Sequence, residues 1–183
     1  MFKSLFLIIC MLFSSLSFAN EVNIYTSRHY DSDDQLYEDF RKETGIKINV
    51  ISGNGNALLE RLKSEGENSP ADIFFTVDAG NLWKIQKEGY FQSISSTKAL
   101  SIVPRNLRGP NNEWIAIAKR ARVIFYNPKT VSNAELADLN YEDLSDKEWD
   151  GRVVIRSSNN IYNQSLVASL ISTHGIDRTE EWA

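Results

Sequence analysis

Cysteine is almost absent from this 183-residue sequence: Cys10 is the only one, and it falls within the first twenty positions. A chain with one thiol builds neither a disulfide framework nor a cysteine-ligated metal centre. Histidine is nearly as scarce, with His29 and His174 alone, and neither belongs to the His-Glu-x-x-His pattern of metallohydrolases. Gly-x-Ser-x-Gly does not occur, and Gly53, Asn54 and Gly55 lack both the third glycine and the strand-one position of a dinucleotide loop, so they read as a turn. Nothing here supplies a nucleophile with its base, and the expectation is that the protein is not an enzyme. Lysine and arginine total 20 against 24 acids with no dense basic face, which argues against nucleic acid as a partner.

What the sequence does have begins at its first residue. Lys3 precedes the largely apolar residues 5–13, and a small polar stretch ends at Ser17, Phe18 and Ala19. That is the layout of a secretory signal peptide, with cleavage expected after Ala19. The apolar run is far short of the ~20 residues a bilayer crossing needs, and no second run of membrane length follows. Cys10 lies inside the run behind Ile9, which is too large for a lipid-attachment site. Removing residues 1–19 leaves 164 residues and takes the formal charge from −4 to −5, a mildly acidic mature chain. The compartment expected is outside the cytoplasmic membrane.

Residues 22–25 alternate and read as a strand, and the polar residues 26–32 as a loop. Ser32 with Gln35 three positions on makes a capping-box pattern, Leu36 and Phe40 share a helical face, and Gly45 closes a helix expected over 33–44. Residues 46–51 alternate as a second strand. A turn over 52–56 leads to a helix carrying Leu58, Leu59 and Leu62 and ended by Gly66. The continuous apolar run 71–77 predicts a strand buried on both faces, and Asp78 is placed to cap a helix that Gly89 stops. Beyond Gly109 and Pro110, residues 114–118, 122–126 and 152–156 read as strands, 141–144 as a short helical piece, and 162–173 as a helix stopped by Gly175. Strands alternating with helices predict an α/β fold with a doubly wound, mainly parallel sheet and right-handed crossovers.

In such sheets ligands collect beyond the carboxyl ends of the strands, and this sorts the seven tyrosines. Tyr25 and Tyr126 fall within strands, Tyr37 within a helix, Tyr90 after a helix end and Tyr141 at a helix cap. Only Tyr30 and Tyr162 fall in loops that follow strands. A phenolate is a hard oxygen donor, and a highly charged cation can displace its proton at neutral pH although the free phenol ionises near ~10. Two such tyrosines suit a hard trivalent ion, although loop tyrosines are common and spacing alone favours ordinary surface phenols. His29 could ligate, hold an anion or simply be an exposed loop histidine. Lys119, Arg120 and Arg122 form a short basic cluster that is either a solvated strand end or a source of guanidinium charge to an anionic crevice.

Five stretches then carry a likeness: SRHYD (27–31), SPADIFFTVDAG (69–80), KRARVIFYN (119–127), WDGR (149–152) and RSSNNIYNQS (156–165). Together they resemble periplasmic ferric-iron-binding proteins of ABC transporters, the tyrosine-ligand class of type II solute-binding proteins, in order and from Glu21 to the last residue. The resemblance implies two lobes, the first over 20–118 and an incomplete second over 119–183. It implies Fe(III) as transported cargo, with a synergistic anion as a possible companion, delivery to a permease in the inner membrane, and a monomer. By motif it makes Tyr30 a first-lobe ligand and Tyr162 a second-lobe ligand, with His29 beside the metal and Arg122 or Arg120 behind it, Arg122 preferred. Family members add an adjacent tyrosine pair from further along, and no Tyr-Tyr occurs here; the chain is expected to be part of a longer one. The competing expectation is a related binding protein for an organic anion, phosphonate, polyamine or sugar, whose sites rest on aromatics, backbone donors and one or two charges.

Overall fold

The computed structural model describes residues 20–183, and the expected signal peptide and Cys10 lie outside them. The chain divides between Val77 and Asp78 into two compact units.

The first unit is built on a three-stranded parallel sheet. Strands β1 (Glu21–Thr26), β2 (Lys47–Ser52) and β3 (Ile73–Phe75) lie in the order β2-β1-β3. Glu21 pairs with Lys47 and Thr26 with Ser52, while Ile24 to Thr26 pair with Ile73 to Phe75. Side chains alternate faces along a strand, so the consecutive burial of Ile24, Tyr25 and Thr26 shows that β1 is covered on both faces, as central parallel strands are. The apolar run 71–77 was the expected site of that pattern. It yields only three strand residues at an edge, and Ile73 is 48% exposed.

Helix α1 (Asp31–Thr44) begins two residues before the expected 33, with Tyr30 at its N-cap. Ser32 is thereby inside the helix and the capping box does not form. Asp31, Asp33 and Asp34 in the first turn and Arg41 and Lys42 in the last complement the helix dipole instead. Gly45 ends the helix in the left-handed region at φ 70°. Helix α2 (Gly55–Glu65) is capped by Asn54, whose side chain accepts from the Asn56 N–H, and it buries Leu58, Leu59 and Leu62 while packing on β1. The Tyr25 phenol donates to the Glu65 carboxylate at 2.8 Å, and Arg61 Nε donates to the same carboxylate at 2.7 Å. Burial pushes the Tyr25 phenol up, and the Arg61 hydrogen bond pulls the Glu65 carboxyl down.

The second unit is mainly helical and extended. Helix α3 (Ala79–Lys87) is capped by Asp78, which accepts from the Gly80 N–H at 2.9 Å, as its position in the sequence suggests. Helices α4 (Thr97–Ile102), α5 (Ile161–His174) and α6 (Ile176–Trp182) follow. Trp149 is buried, with the Arg152 guanidinium 4.7 Å over its ring and Arg152 paired to Glu135 at 2.7 Å.

The strands expected at 114–118, 122–126 and 152–156 are not present as strands. Ile115 makes an isolated antiparallel bridge to Arg108, and the other two segments are extended without a ladder. Phe125 is 89% exposed and Val154 99%. Alternation identifies which side chains are apolar, whereas a strand requires a neighbouring backbone to receive its N–H and C=O groups. Among the described residues no neighbouring strand does so for 122–126 or 152–156, and 114–118 is met only at the Arg108–Ile115 bridge.

Candidate functional site

The loop after β1 starts by tying itself to β3. Ser27 donates its N–H to the Phe75 carbonyl at 3.1 Å, and its hydroxyl lies 2.6 Å from that of Thr76. Arg28 then turns back beneath the loop. Its Nε and Nη2 donate to the two carboxylate oxygens of Asp33, each at 2.7 Å, in the two-point geometry that fits guanidinium to carboxylate. Both side chains are largely buried. The paired hydrogen bonds hold Arg28 above its ordinary value and Asp33 below the usual carboxylate range.

Tyr30 follows at the helix boundary. Its carbonyl accepts the Asp33 N–H at 2.9 Å, its side chain makes no cap bond, and it is 39% exposed. The Arg28 guanidinium carbon lies 4.8 Å from the centre of the Tyr30 ring and 4.4 Å from that of Phe75. His29, exposed, stacks on Tyr30 at 5.2 Å with planes 18° apart. The first unit therefore gathers His29 and Tyr30, as the sequence suggests. It adds Arg28 and Asp33, which the sequence reading missed. Their five-residue spacing is not a helical or strand repeat; it works only because the helix starts between them.

In the second unit Tyr162 is the second residue of α5 rather than a loop residue. The side chain of Asn160 caps this helix by accepting the Tyr162 N–H at 3.0 Å. Arg120 Nη2 donates to the Tyr162 hydroxyl at 2.8 Å, and the guanidinium carbons of Arg120 and Arg156 lie 5.0 and 5.2 Å from its ring centre. Arg122, exposed, makes no hydrogen bond or ion pair among the described residues, so Arg120 is the arginine of the cluster that reaches Tyr162. Arg156 was not among the residues singled out by sequence. One turn on, the Ser165 hydroxyl donates to Asp78 Oδ1 at 2.5 Å. A Cβ on Gly80 would stand 2.8 Å from Ile161 Cδ1, so glycine lets α3 and α5 approach at their starts.

Of the other tyrosines, Tyr25 is fully buried and Tyr126 donates to Asn133. Tyr37 stands within electrostatic reach of Asp33 and Arg28, and burial pushes its phenol up. Among the described residues no cluster of three or more His, Cys, Asp or Glu could hold a metal ion.

The chain belongs to the bacterial extracellular solute-binding protein family, which residues 26–158 match. It is 52% identical over 163 residues to iron uptake protein A1 of Synechocystis, covering 89% of this chain and 45% of that one. A Trichodesmium protein solved in complex with iron and citrate ligands superposes with a TM-score of 0.81 at 54% identity, over 89% of this chain and 51% of the other. A ferric binding protein from Campylobacter jejuni gives 0.82 at 40% identity, over 88% and 51%. The fold is thus that of the type II binding proteins, α/β with a parallel sheet, and the chain spans about half the length of the proteins it matches.

Proposed function

We propose that the protein captures ferric iron outside the cytoplasmic membrane and passes it to an ABC permease, acting as a carrier and not as a catalyst. In this reading the phenols of Tyr30 and Tyr162 are ligands, His29 stands beside the ion, and Arg120 lies behind Tyr162 with Arg122 as the other basic residue of that cluster. The lobes run over 20–118 and from 119 onward, the cargo is Fe(III) with an anion as its possible companion, and the protein works as a periplasmic monomer released from its signal peptide.

The observation that carries the reading is that both phenols singled out by sequence are attended by arginine. Arg28 lies over Tyr30, and Arg120 donates to the Tyr162 oxygen. A phenol bonded to a metal carries its negative charge on oxygen, and an adjacent guanidinium favours that form. Three phenolates neutralise Fe(III), and a fourth leaves one surplus negative charge that such an arginine offsets. The similarity to an iron uptake protein and to a ferric binding protein supports iron over an organic anion, phosphonate, polyamine or sugar.

Ferric tyrosinate is coloured through phenolate-to-iron charge transfer. The full-length protein loaded with ferric citrate is expected to absorb in the visible, and Tyr162→Phe to weaken or shift the band. Tyr37→Phe and Tyr90→Phe should leave it unchanged. A colourless, iron-free wild type under the same loading would overturn the assignment.

A further inference from the structure

We infer that Arg28, clamped by Asp33, is the positioning residue of Tyr30 and holds that ring in the orientation at which its phenol meets the ion. The inference rests on the ferric reading above, but its geometry lies wholly within the first unit. Tyr30 stands at the start of α1, 39% exposed, and its ring takes one of a few staggered rotamers, so whatever packs on its face bears on which one it adopts. What lies against its ring is a guanidinium that cannot itself move freely. Arg28 is held at two points by a carboxylate that is 8% exposed, and it also lies over the Phe75 ring at the end of β3. The loop backbone is fixed independently, through Ser27 to Phe75 and through the Arg28 N–H to the Thr26 hydroxyl at 3.1 Å. The chain of restraint runs from the sheet and the first turn of α1, through Arg28, to the phenol.

Lysine could not replace this arrangement. An ammonium is a point charge without the flat fork that grips two carboxylate oxygens and presents a face to an aromatic ring. Arg28 is not a ligand, and its effect on iron must travel through Tyr30. Outer-shell partners that orient a ligand commonly change metal affinity by about 10–100-fold.

The test has a metal-free arm and a metal arm. The full chain is labelled with 3-fluorotyrosine, and the Tyr30 resonance is assigned by its loss in Tyr30→Phe. In metal-free protein, Arg28→Met is expected to move the Tyr30 fluorine signal towards its position in unfolded chain. Because that variant strands the Asp33 carboxylate in a buried place, the paired variant Arg28→Met with Asp33→Leu removes both charges together and should show the same displacement in folded protein. An unmoved Tyr30 signal in the folded paired variant overturns the proposal. In the metal arm, iron is titrated against citrate. Arg28→Met should lower affinity by about 10–100-fold when Tyr30 is present and leave it unchanged in a Tyr30→Phe background. An equal loss in both backgrounds would mean that Arg28 acts without Tyr30, and the proposal falls. A wild type that takes up no iron defeats the ferric reading alone, since the fluorine measurement still decides whether Arg28 orients Tyr30.

Discussion

Residues 20–77 and 78–183 carry similar apolar patterning and turn it into different structure. In the first unit each alternating segment finds a parallel neighbour, β1 is buried on both faces, and Leu58, Leu59 and Leu62 close over it. In the second, segments 122–126 and 152–156 are just as apolar, yet Phe125 and Val154 stand almost fully in solvent. The difference teaches that patterning sets what a segment can bury, and pairing decides whether it does. Stability is correspondingly uneven, since local opening is easiest where backbone groups are unpaired and apolar contacts few.

The largest expected effect is therefore in the first unit. Leu59→Ala, at a buried position against the sheet, should cost about 2–5 kcal/mol, whereas Val154→Ala should change stability by less than about 0.5 kcal/mol. Denaturant unfolding measures both, and equal costs at the two positions would break the comparison. A smaller effect is expected at Gly45. Its φ is 70° and a Cβ there would meet open space, so Gly45→Ala isolates the backbone cost of the left-handed region, about 1–2 kcal/mol. If the change is neutral, the helix end has relaxed out of that conformation.

The smallest effect lies in the second unit, at Glu135. The Ser132 N–H, and after it Arg152 and the Ser132 hydroxyl, hold its carboxyl down at about 2. A group with a depressed folded value stabilises the fold above the ordinary glutamate range and loses that contribution as pH falls through the folded value. Stability of this region should thus decline between roughly pH 4.5 and 2, and Glu135→Gln should flatten that part of the profile. The four tryptophans, Trp83, Trp114, Trp149 and Trp182, all lie in the second unit, so their fluorescence follows it selectively. An unchanged acid profile in Glu135→Gln would show that the exposed carboxylate contributes nothing measurable.

Local signals were the legible ones. The leucines of α2, Gly45 as a helix stop and Asp78 as a cap all follow from spacing or from the backbone freedom of one residue type. The start of α1 was not legible, because three acids interacting with a dipole compete with a capping box and composition alone does not say which wins. The second-half strands misled for a related reason, since a pairing partner is a property of another segment. At the candidate site, Tyr30 and Tyr162 stood out by position, and His29 by adjacency. Arg28 and Asp33 did not, because their contact crosses from loop to helix. Arg120 and Arg122 belong to one short basic cluster, and only the folded arrangement separates the one that touches Tyr162.

The hydrogen bond from Ser165 to Asp78 joins residues 87 positions apart, whereas Arg28 and Asp33, which attend Tyr30, are five apart. Closing a long loop costs chain entropy that a neighbouring contact does not, and contacts of high sequence separation slow folding. The two phenols therefore share a schedule only in part: the Arg28–Asp33 pair beside Tyr30 can form within one short stretch, while its contact with Phe75 and the helix start that bears Tyr162 settle only after distant parts of the chain have found each other.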